Sequence, residues 1–216
     1  MKKFNYTFIL IVTIFLCIFA LNGCKKNLNL CDYVTELKSD CFVSLDQQYN
    51  LKATYGFIED NHVNDGNVNK KAYLLTFKLL DKQTDNVTYT INLSYNQQEY
   101  SATFKLSPVS HTLVAVMEIE DFNLKQFDAT LCYSSQSIKI QMQSIVPENA
   151  ITYQQALSHL HQQQSALINS YLDQDNNFLG EITARILVKD QHPYWYIGLC
   201  DKDAKIKALL IDGIDG

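Results

Sequence analysis

Two histidines in the C-terminal half of the chain are close enough in sequence to suggest a metal site. His159 and His161 are separated by one residue inside a segment of helical periodicity. Residues two apart on a helix point about 200° apart around its axis, so the two imidazoles cannot ligate one ion. We therefore predict solvent-facing histidines and no metal site here.

A second group of polar residues follows the same segment. Asp173, Asp175 and Asn177 have the spacing with which a calcium-binding loop begins. Such a loop needs a glycine at its sixth position and a bidentate carboxylate at its twelfth, where this chain has Phe178 and Ala184. The pattern is therefore interpreted as a turn that ends a helix.

Sequence motifs of catalysis are the next feature to consider. The chain contains no GxSxG nucleophile motif, no glycine-rich phosphate loop and no dinucleotide fingerprint. Glu118 and Glu120 would share one face of a strand, where we expect them to be solvated. These observations favour a protein that is not an enzyme and has no cofactor. A hydrolase whose serine and histidine come from distant segments is the alternative.

Four cysteines, Cys31, Cys41, Cys132 and Cys200, lie beyond residue 24. No CxxC pair occurs, so the spacing supports neither a redox motif nor a zinc site. Four cysteines allow three pairings. The sequence leaves both disulfide bonds and free thiols open.

The N-terminus has the layout of a secretory signal: two lysines, an apolar run over residues 8–21, and Gly23 before Cys24. The run is shorter than the roughly 20 apolar residues that a membrane-spanning helix needs. The segment LNGC that ends at Cys24 resembles the lipobox of bacterial lipoproteins, in which the cysteine carries the lipid and becomes the first mature residue. The resemblance implies a lipoprotein signal peptide over residues 1–23 and a lipidated, palmitate-bearing Cys24.

Acylation of Cys24 would anchor the chain stably, because two or more acyl chains hold a protein where one binds only reversibly. The expected location is the extracytoplasmic face of the cell membrane, with residues 24–32 as a lipidated tether. Removing the signal takes away two of the 18 basic side chains and none of the 23 acidic ones, so the formal net charge falls from −5 to −7. An acidic body with one arginine, Arg185, is not suited to nucleic acid.

Residues 33–147 are predicted to form an antiparallel β domain. Its clearest strand covers residues 87–95, where apolar and polar residues alternate over nine positions, as in a half-buried strand. Similar segments, separated by turns rich in Asp, Asn and Gln, bring the expected total to seven or eight short strands. This pattern favours an immunoglobulin-like β-sandwich.

At Pro147 the period changes, and residues 148–216 are predicted to form a separate small α+β domain. Thr152 and Gln155 have the spacing of a capping box, and the apolar positions that follow recur every three or four residues to about Leu172. A three-stranded antiparallel meander is expected over residues 181–189, 194–200 and 205–211.

The segment ITYQQAL and the segment from Gly180 onward resemble the PepSY module of secreted bacterial proteins. The matching features are an early alanine in the helix, an aromatic centre in the middle strand and an aspartate near the end: Ala156, Trp195, Tyr196 and Asp212. The whole chain also resembles cell-surface lipoproteins of AT-rich Gram-positive bacteria. The PepSY-like resemblance implies that residues 148–216 bind or restrain a secreted peptidase or another envelope protein.

The three C-terminal strands should present two different faces. One is apolar, includes Trp195 and is expected to pack under the helix. The other carries a candidate binding or interdomain surface, made of Arg185, Leu187, Tyr194, Tyr196, Leu209 and Ile211. Tyrosine and arginine beside exposed apolar side chains are typical of binding hot spots. Docking on the β-sandwich and recognition of an outside partner are both open for this face.

These patterns together predict a non-catalytic, membrane-anchored lipoprotein of binding or accessory type. Its expected partners are the lipid bilayer, through acylated Cys24, and a secreted or envelope protein. The alternatives are the hydrolase described above and a structural spacer of the cell envelope.

Overall fold

The computed structural model describes residues 28–46, 48–59, 70–80 and 87–216. Cys24 and the predicted signal peptide lie outside the described residues. The described chain begins with a short 3-10 turn, Leu30–Tyr33, and continues through twelve strands and two helices. The first nine strands are β1 (Val34–Ser44), β2 (Leu51–Glu59), β3 (Lys71–Leu79), β4 (Tyr89–Tyr95), β5 (Gln98–Thr103), β6 (Lys105–Leu106), β7 (Leu113–Glu118), β8 (Gln126–Tyr133) and β9 (Gln136–Ser144). The remaining elements are α1 (Tyr153–Gln163), α2 (Ser165–Asn169), β10 (Gly180–Lys189), β11 (His192–Asp201) and β12 (Ile206–Asp212).

The first nine strands form one nearly closed sheet in the order β5-β4-β8-β9-β1-β2-β3-β7-β6. The sheet nearly closes on itself, because its two end strands, β5 and β6, are separated in the chain only by Phe104. All pairings within this order are antiparallel, so the prediction of a mainly antiparallel β protein is confirmed. An immunoglobulin-like sandwich consists of two sheets, and this finer prediction is not confirmed.

The interior of the nearly closed sheet is packed with apolar side chains. Ile91 and Leu93 of β4, which the alternating pattern places inward, are only 0% and 2% exposed. The rings of Phe42, Phe122 and Phe127 meet edge to face, with centroids 5.1 to 6.0 Å apart. This edge-to-face geometry is the arrangement that aromatic quadrupoles favour, and it gives the first apolar cluster a defined shape.

A second apolar cluster lies between helix α1 and strands β10–β12. Leu157 and Leu160 of α1 are buried there together with Ile182, Trp195 and Ile197 of the strands. The order β10-β11-β12 is antiparallel, and its helix-plus-meander architecture agrees with the sequence prediction for this part of the chain.

Strand β1 joins the two clusters. Its last residues pair with β9, whereas residues 34–38 pair in parallel with β10. Phe42 accordingly belongs to the first cluster, and Val34 and Leu37 belong to the second. The parallel pairing is a long-range contact that strand patterns alone do not indicate. The boundary at residue 147 stays a prediction, but the second cluster includes residues from the beginning of the described chain.

A bulge in β1 marks the place where this strand changes neighbours. The register between β1 and β2 shifts between Lys38 and Asp40. Gly56 of β2 lies opposite Lys38, and a Cβ atom added to it would overlap the carbonyl group of Leu37. The close approach of the two backbones therefore requires a glycine at this position.

Helix α1 begins as predicted but ends earlier. Thr152 Oγ1 accepts a hydrogen bond from the Gln155 backbone N–H, and Gln155 Oε1 accepts one from the Thr152 N–H, so the capping box is confirmed. Gln164 has φ −123° and ψ 38°, which breaks the single helix expected to reach Leu172 into α1 and α2. The break lies at the end of the polar stretch 161–164, where the apolar periodicity is interrupted.

Candidate functional site

The candidate site is the face of strands β10–β12 that points away from helix α1. In the β10–β11 register, Arg185 lies opposite Tyr196 and Leu187 lies opposite Tyr194. Residues that face each other across an antiparallel pair project to the same side of the sheet. The structure thus brings these four predicted residues together on one face.

The prediction for strand β12 assigned its alternating side chains to the wrong faces of the sheet. The register pairs Ile211 with Trp195 and Leu209 with Ile197, so both residues project toward the second apolar cluster. Ile211 is only 6% exposed. Both alternate sets of side chains in β12 are apolar, so the sequence pattern did not determine which set faces the core.

On the candidate face, the other alternate set of β12 side chains stands where Leu209 and Ile211 were predicted. Leu210 lies opposite Tyr196, and Ile206 and Ala208 share its side of the strand. We call the resulting surface the outer face, and it consists of Arg185, Leu187, Tyr194, Tyr196, Ile206, Ala208 and Leu210. Its apolar side chains are strongly solvent-exposed: Leu187 by 45%, Leu210 by 63% and Ile206 by 65%.

Arg185 connects the outer face to strand β1. Its Nη2 atom lies 3.0 Å from Glu36 Oε2, and Lys38 Nζ lies 2.9 Å from Glu36 Oε1. Burial alone would raise the pKa of Glu36, but the hydrogen bonds and positive charges of Lys38 and Arg185 hold this pKa below its usual value. Arg185 Nε is buried and has no hydrogen-bond partner within the described residues. The guanidinium is therefore held on one side by Glu36 and leaves its buried Nε–H unused.

The opposite end of the face carries a histidine–aspartate pair. His192 Nε2 lies 2.8 Å from Asp212 Oδ2, and the His192 ring lies 4.8 Å from the ring of Tyr194. Hydrogen bonds from the Ile214 backbone N–H, from His192 and from the Asp215 N–H lower the pKa of Asp212. Asp212, the aspartate of the PepSY-like pattern, thus orders the end of β12 by accepting these bonds.

Trp195 lies in the second cluster, as predicted. It is 2% exposed, and its Nε1–H donates a hydrogen bond of 2.8 Å to the carbonyl of Ile151. A buried indole usually satisfies its N–H in this way. The only tryptophan of the chain therefore anchors the entry to helix α1 against β11.

The loop that resembles the start of a calcium site is a turn, as predicted. The carboxylate of Asp173 accepts hydrogen bonds from the backbone N–H groups of Asp175 and Asn177 and from the Asn177 side chain, at 2.8 to 3.0 Å. Hydrogen bonds from the Asn177 side chain and backbone lower the pKa of Asp173. Among the described residues no group of three or more His, Cys, Asp or Glu side chains has the geometry to hold a metal ion.

The thiols of Cys31, Cys41, Cys132 and Cys200 are all unpaired. Cys41 is the most perturbed of them, because burial, with a further contribution from the negative charge of Asp40, raises its pKa to about 11. Of the two states that the sequence leaves open, the structure has free thiols at these four positions.

A buried polar network at the β1–β9 junction was missed by the sequence analysis. Asp40, which is 9% exposed, accepts hydrogen bonds from the Cys41 N–H and the Ser144 hydroxyl and lies 2.7 Å from Lys125 Nζ. A cleft of about 370 Å³ opens beside it, with Lys125 and Trp195 in its walls. Asp40, Lys125 and Ser144 are up to 104 positions apart in sequence, so no local pattern could have indicated their contact.

In the described part of the chain, neither helix is long and apolar enough to cross a membrane. Comparisons of the sequence and structure with protein-family models, curated proteins and solved structures gave no match.

Proposed function

We propose that the protein is a non-catalytic lipoprotein, anchored by an acylated Cys24 at the extracytoplasmic face of the cell membrane, whose outer face binds a secreted or envelope protein. In this proposal residues 33–147, for which the sequence predicts an immunoglobulin-like sandwich, are the body that carries the binding unit. Residues 148–216 act in the manner that the PepSY-like resemblance implies, by binding or restraining a partner such as a secreted peptidase.

The observation that carries the proposal is the composition of the outer face. Leu187 and Leu210 are about half exposed or more, and they border Tyr194, Tyr196 and the arginine of the Arg185–Glu36 pair. Tyrosine and arginine dominate binding hot spots, and contiguous exposed apolar surface marks interaction sites. A surface that met only water would gain nothing from these side chains.

The exposure of this face also favours an outside partner over docking within the chain. Side chains that dock lose most of their solvent-accessible area, as Trp195 and Ile197 on the opposite face do. Leu187 keeps 45% of its area and Leu210 keeps 63%. The apolar area of the outer face is therefore available to another molecule.

Two substitutions with a matched control test the proposal. Tyr196→Ala and Leu187→Ala should each weaken capture of a cross-linked partner on intact cells by about tenfold or more, the effect of a hot-spot residue. Leu45→Ala is the control, because Leu45 is also an exposed leucine, at 49%, and lies off the outer face. Its capture should equal that of the parent.

Thermal melting separates binding from folding in the same variants. Recognition of a partner predicts lost capture with an unchanged melting temperature for Leu187→Ala. A lowered melting temperature with unchanged capture would show that the face serves internal packing. Equal capture by all three variants and the parent would remove the outer face from the proposed function.

A further inference from the structure

Strand β12 lies at an edge of the β10–β12 meander. It pairs with β11 on one side, and no strand of the described chain pairs with its other side. We propose that this edge pairs with β12 of a second copy of the chain, in antiparallel orientation, so that two meanders form one continuous sheet. The proposal does not depend on the binding function of the outer face.

The backbone of β12 shows which residues offer free hydrogen-bonding groups. The Gly213 N–H donates to the Pro193 carbonyl and the Asp201 N–H donates to the Lys205 carbonyl, so odd-numbered residues around β12 exchange bonds with β11. Hydrogen-bonded and non-bonded positions alternate along an antiparallel pair. The N–H and C=O groups of Ile206, Ala208 and Leu210 therefore point out from the open edge.

One register of a two-fold pair suits these three residues. With Ala208 placed opposite Ala208 of the second copy, each Ile206 lies opposite Leu210 of the other chain. All three positions are then hydrogen-bonded pairs, in which both residues exchange N–H···O bonds. The register also brings together side chains that are 65% and 63% exposed in the single chain, so it satisfies the free backbone groups and buries apolar surface at once.

Two neighbouring registers also place even-numbered residues opposite even-numbered residues and so keep the same hydrogen-bonding groups in use. Both are less favourable. A shift by two residues in one direction places Lys207 opposite Lys207 of the second copy, which brings like charges together. A shift in the other direction places Ile206 opposite Asp212. Like charges directly opposite each other destabilise a strand pair, and apolar pairs stabilise it. The side chains of β12 thus favour a single register.

The charged side chains at the two ends of β12 have partners within the single chain. Lys205 Nζ lies 3.9 Å from Asp203 Oδ2 just before the strand, and Asp212 Oδ2 lies 2.8 Å from His192 Nε2 at its end. The residues between these ends that project to the outer side, Ile206, Ala208 and Leu210, are uncharged, so antiparallel self-pairing brings only apolar side chains directly opposite each other there. This self-complementary apolar register is the reason to assign the edge to a second copy rather than to an unrelated strand.

The oligomeric state of the full chain, purified in detergent, gives the first test. A pair of short strands buries less area than the roughly 1,200–2,000 Å² of a standard stable interface, so we expect a monomer–dimer equilibrium that shifts over a hundred-fold range of protein concentration. Ala208→Pro removes an N–H that points to the open edge and spares the bonds to β11, as proline at a sheet edge does. This variant should stay monomeric over the whole range.

Leu210→Lys is a second variant, in case proline disturbs the strand itself. A lysine opposite Ile206 should also hold the chain monomeric, because charged side chains block edge pairing. Leu187→Lys is the control: Leu187 lies on the same face but on β10, away from the edge. It should dimerise like the parent, even if it loses the partner proposed for the outer face.

Cysteine cross-linking tests the register. Ala208→Cys should form a cross-linked dimer with a short bifunctional thiol reagent, above the background of the parent with its native thiols. Ile206→Cys and Leu210→Cys should not cross-link alone, and a mixture of the two should. A parent that stays monomeric at all concentrations, with no cross-link through position 208, overturns the proposal. So does a dimer that Ala208→Pro and Leu210→Lys leave intact, or an edge occupied by a different protein.

Discussion

At the scale of single residues, Asp40 is a buried charge that connects distant parts of the fold. Its carboxylate connects β1 to Ser144 of β9 and to Lys125 at the place where β1 leaves β9 for β10. The side chain of Asp40 is 13% exposed, whereas the side chain of Lys125 is 61% exposed. The two members of this ion pair should therefore differ strongly in what their removal costs.

Asp40→Ala should lower the free energy of unfolding by about 3 kcal/mol. It leaves the Ser144 hydroxyl and the Cys41 N–H without an acceptor, and each buried unsatisfied group costs about 1–3 kcal/mol. Lys125→Ala, the matched control, should cost about 1 kcal/mol or less, as for an exposed ion pair. Urea unfolding measures both values, and an equal loss for the two variants would contradict this account of the network.

The buried thiol of Cys41 should make the protein less stable at alkaline pH. Burial raises its pKa from 9.0 to about 11 in the folded state. Its contribution to stability is complete below pH 9 and is lost as the pH rises toward 11, because only the unfolded chain then releases the proton. The shift corresponds to a decrease of up to about 3 kcal/mol.

Unfolding of the parent and of Cys41→Ala, measured from pH 8 to pH 11, isolates this effect. Tyrosines with raised pKa values, such as Tyr55 and Tyr153, contribute to the alkaline slope of both proteins. The free energy of unfolding should fall less steeply with pH in Cys41→Ala, and the difference from the parent is the contribution of Cys41. Parallel curves for the two proteins would show that Cys41 ionises equally in the folded and unfolded chains.

At the scale of elements, strands with one apolar set of alternating side chains were predictable and β12 was not. In β4 only one alternating set is apolar, so its inward residues follow from the sequence. In β12, Ile206, Ala208 and Leu210 compete with Leu209 and Ile211 for the core. The pairing with β11 decided between them, and such a long-range contact has no local signal.

The same limit applies to β1 and to the division of the chain. The sequence change at Pro147 predicts a separate unit over residues 148–216, but Val34, Leu37 and Phe57 are buried in its apolar cluster. Each buried side chain of this kind contributes about 1.5–3 kcal/mol. A core of some 70 residues rarely supplies more than about 3–5 kcal/mol in all, so these three residues matter to its stability.

A fragment of residues 148–216 should therefore show little cooperative melting by itself. We expect circular dichroism to give a weak helical signal, in contrast to the full chain, because the edge of β10 that pairs with β1 is left open. Thr152→Ala in the full chain is a useful comparison, since loss of the helix cap alone should cost only about 1 kcal/mol. A fragment that melts cooperatively at a temperature near that of the full chain would show that residue 147 is a true domain boundary.

At the scale of the whole molecule, the beginning of the described chain lies against the unit that carries the proposed binding face. Leu28 and Leu30 pack against the second apolar cluster, which also contains helix α1 and strands β10–β12. Leu28 follows Cys24 by four positions, which span at most about 14 Å when the chain is extended. If Cys24 carries lipid, the β10–β12 unit is thus held close to the bilayer surface.

The last prediction concerns this anchor, for which Cys24 itself lies outside the described residues. Cys24→Ser should abolish incorporation of a fatty-acid probe and leave the signal peptide uncut by the lipoprotein peptidase, because the hydroxyl does not replace the thiol that takes the lipid. Cys31→Ser is the matched control: the same substitution seven residues later should leave labelling and processing unchanged. If the acyl chains supply the attachment, the Cys24→Ser protein should also move from the tightly held to the extractable membrane fraction. The Cys31→Ser protein should not. Equal probe incorporation in Cys24→Ser and the parent would remove the lipoprotein proposal, and with it the expectation that the outer face works at a membrane surface.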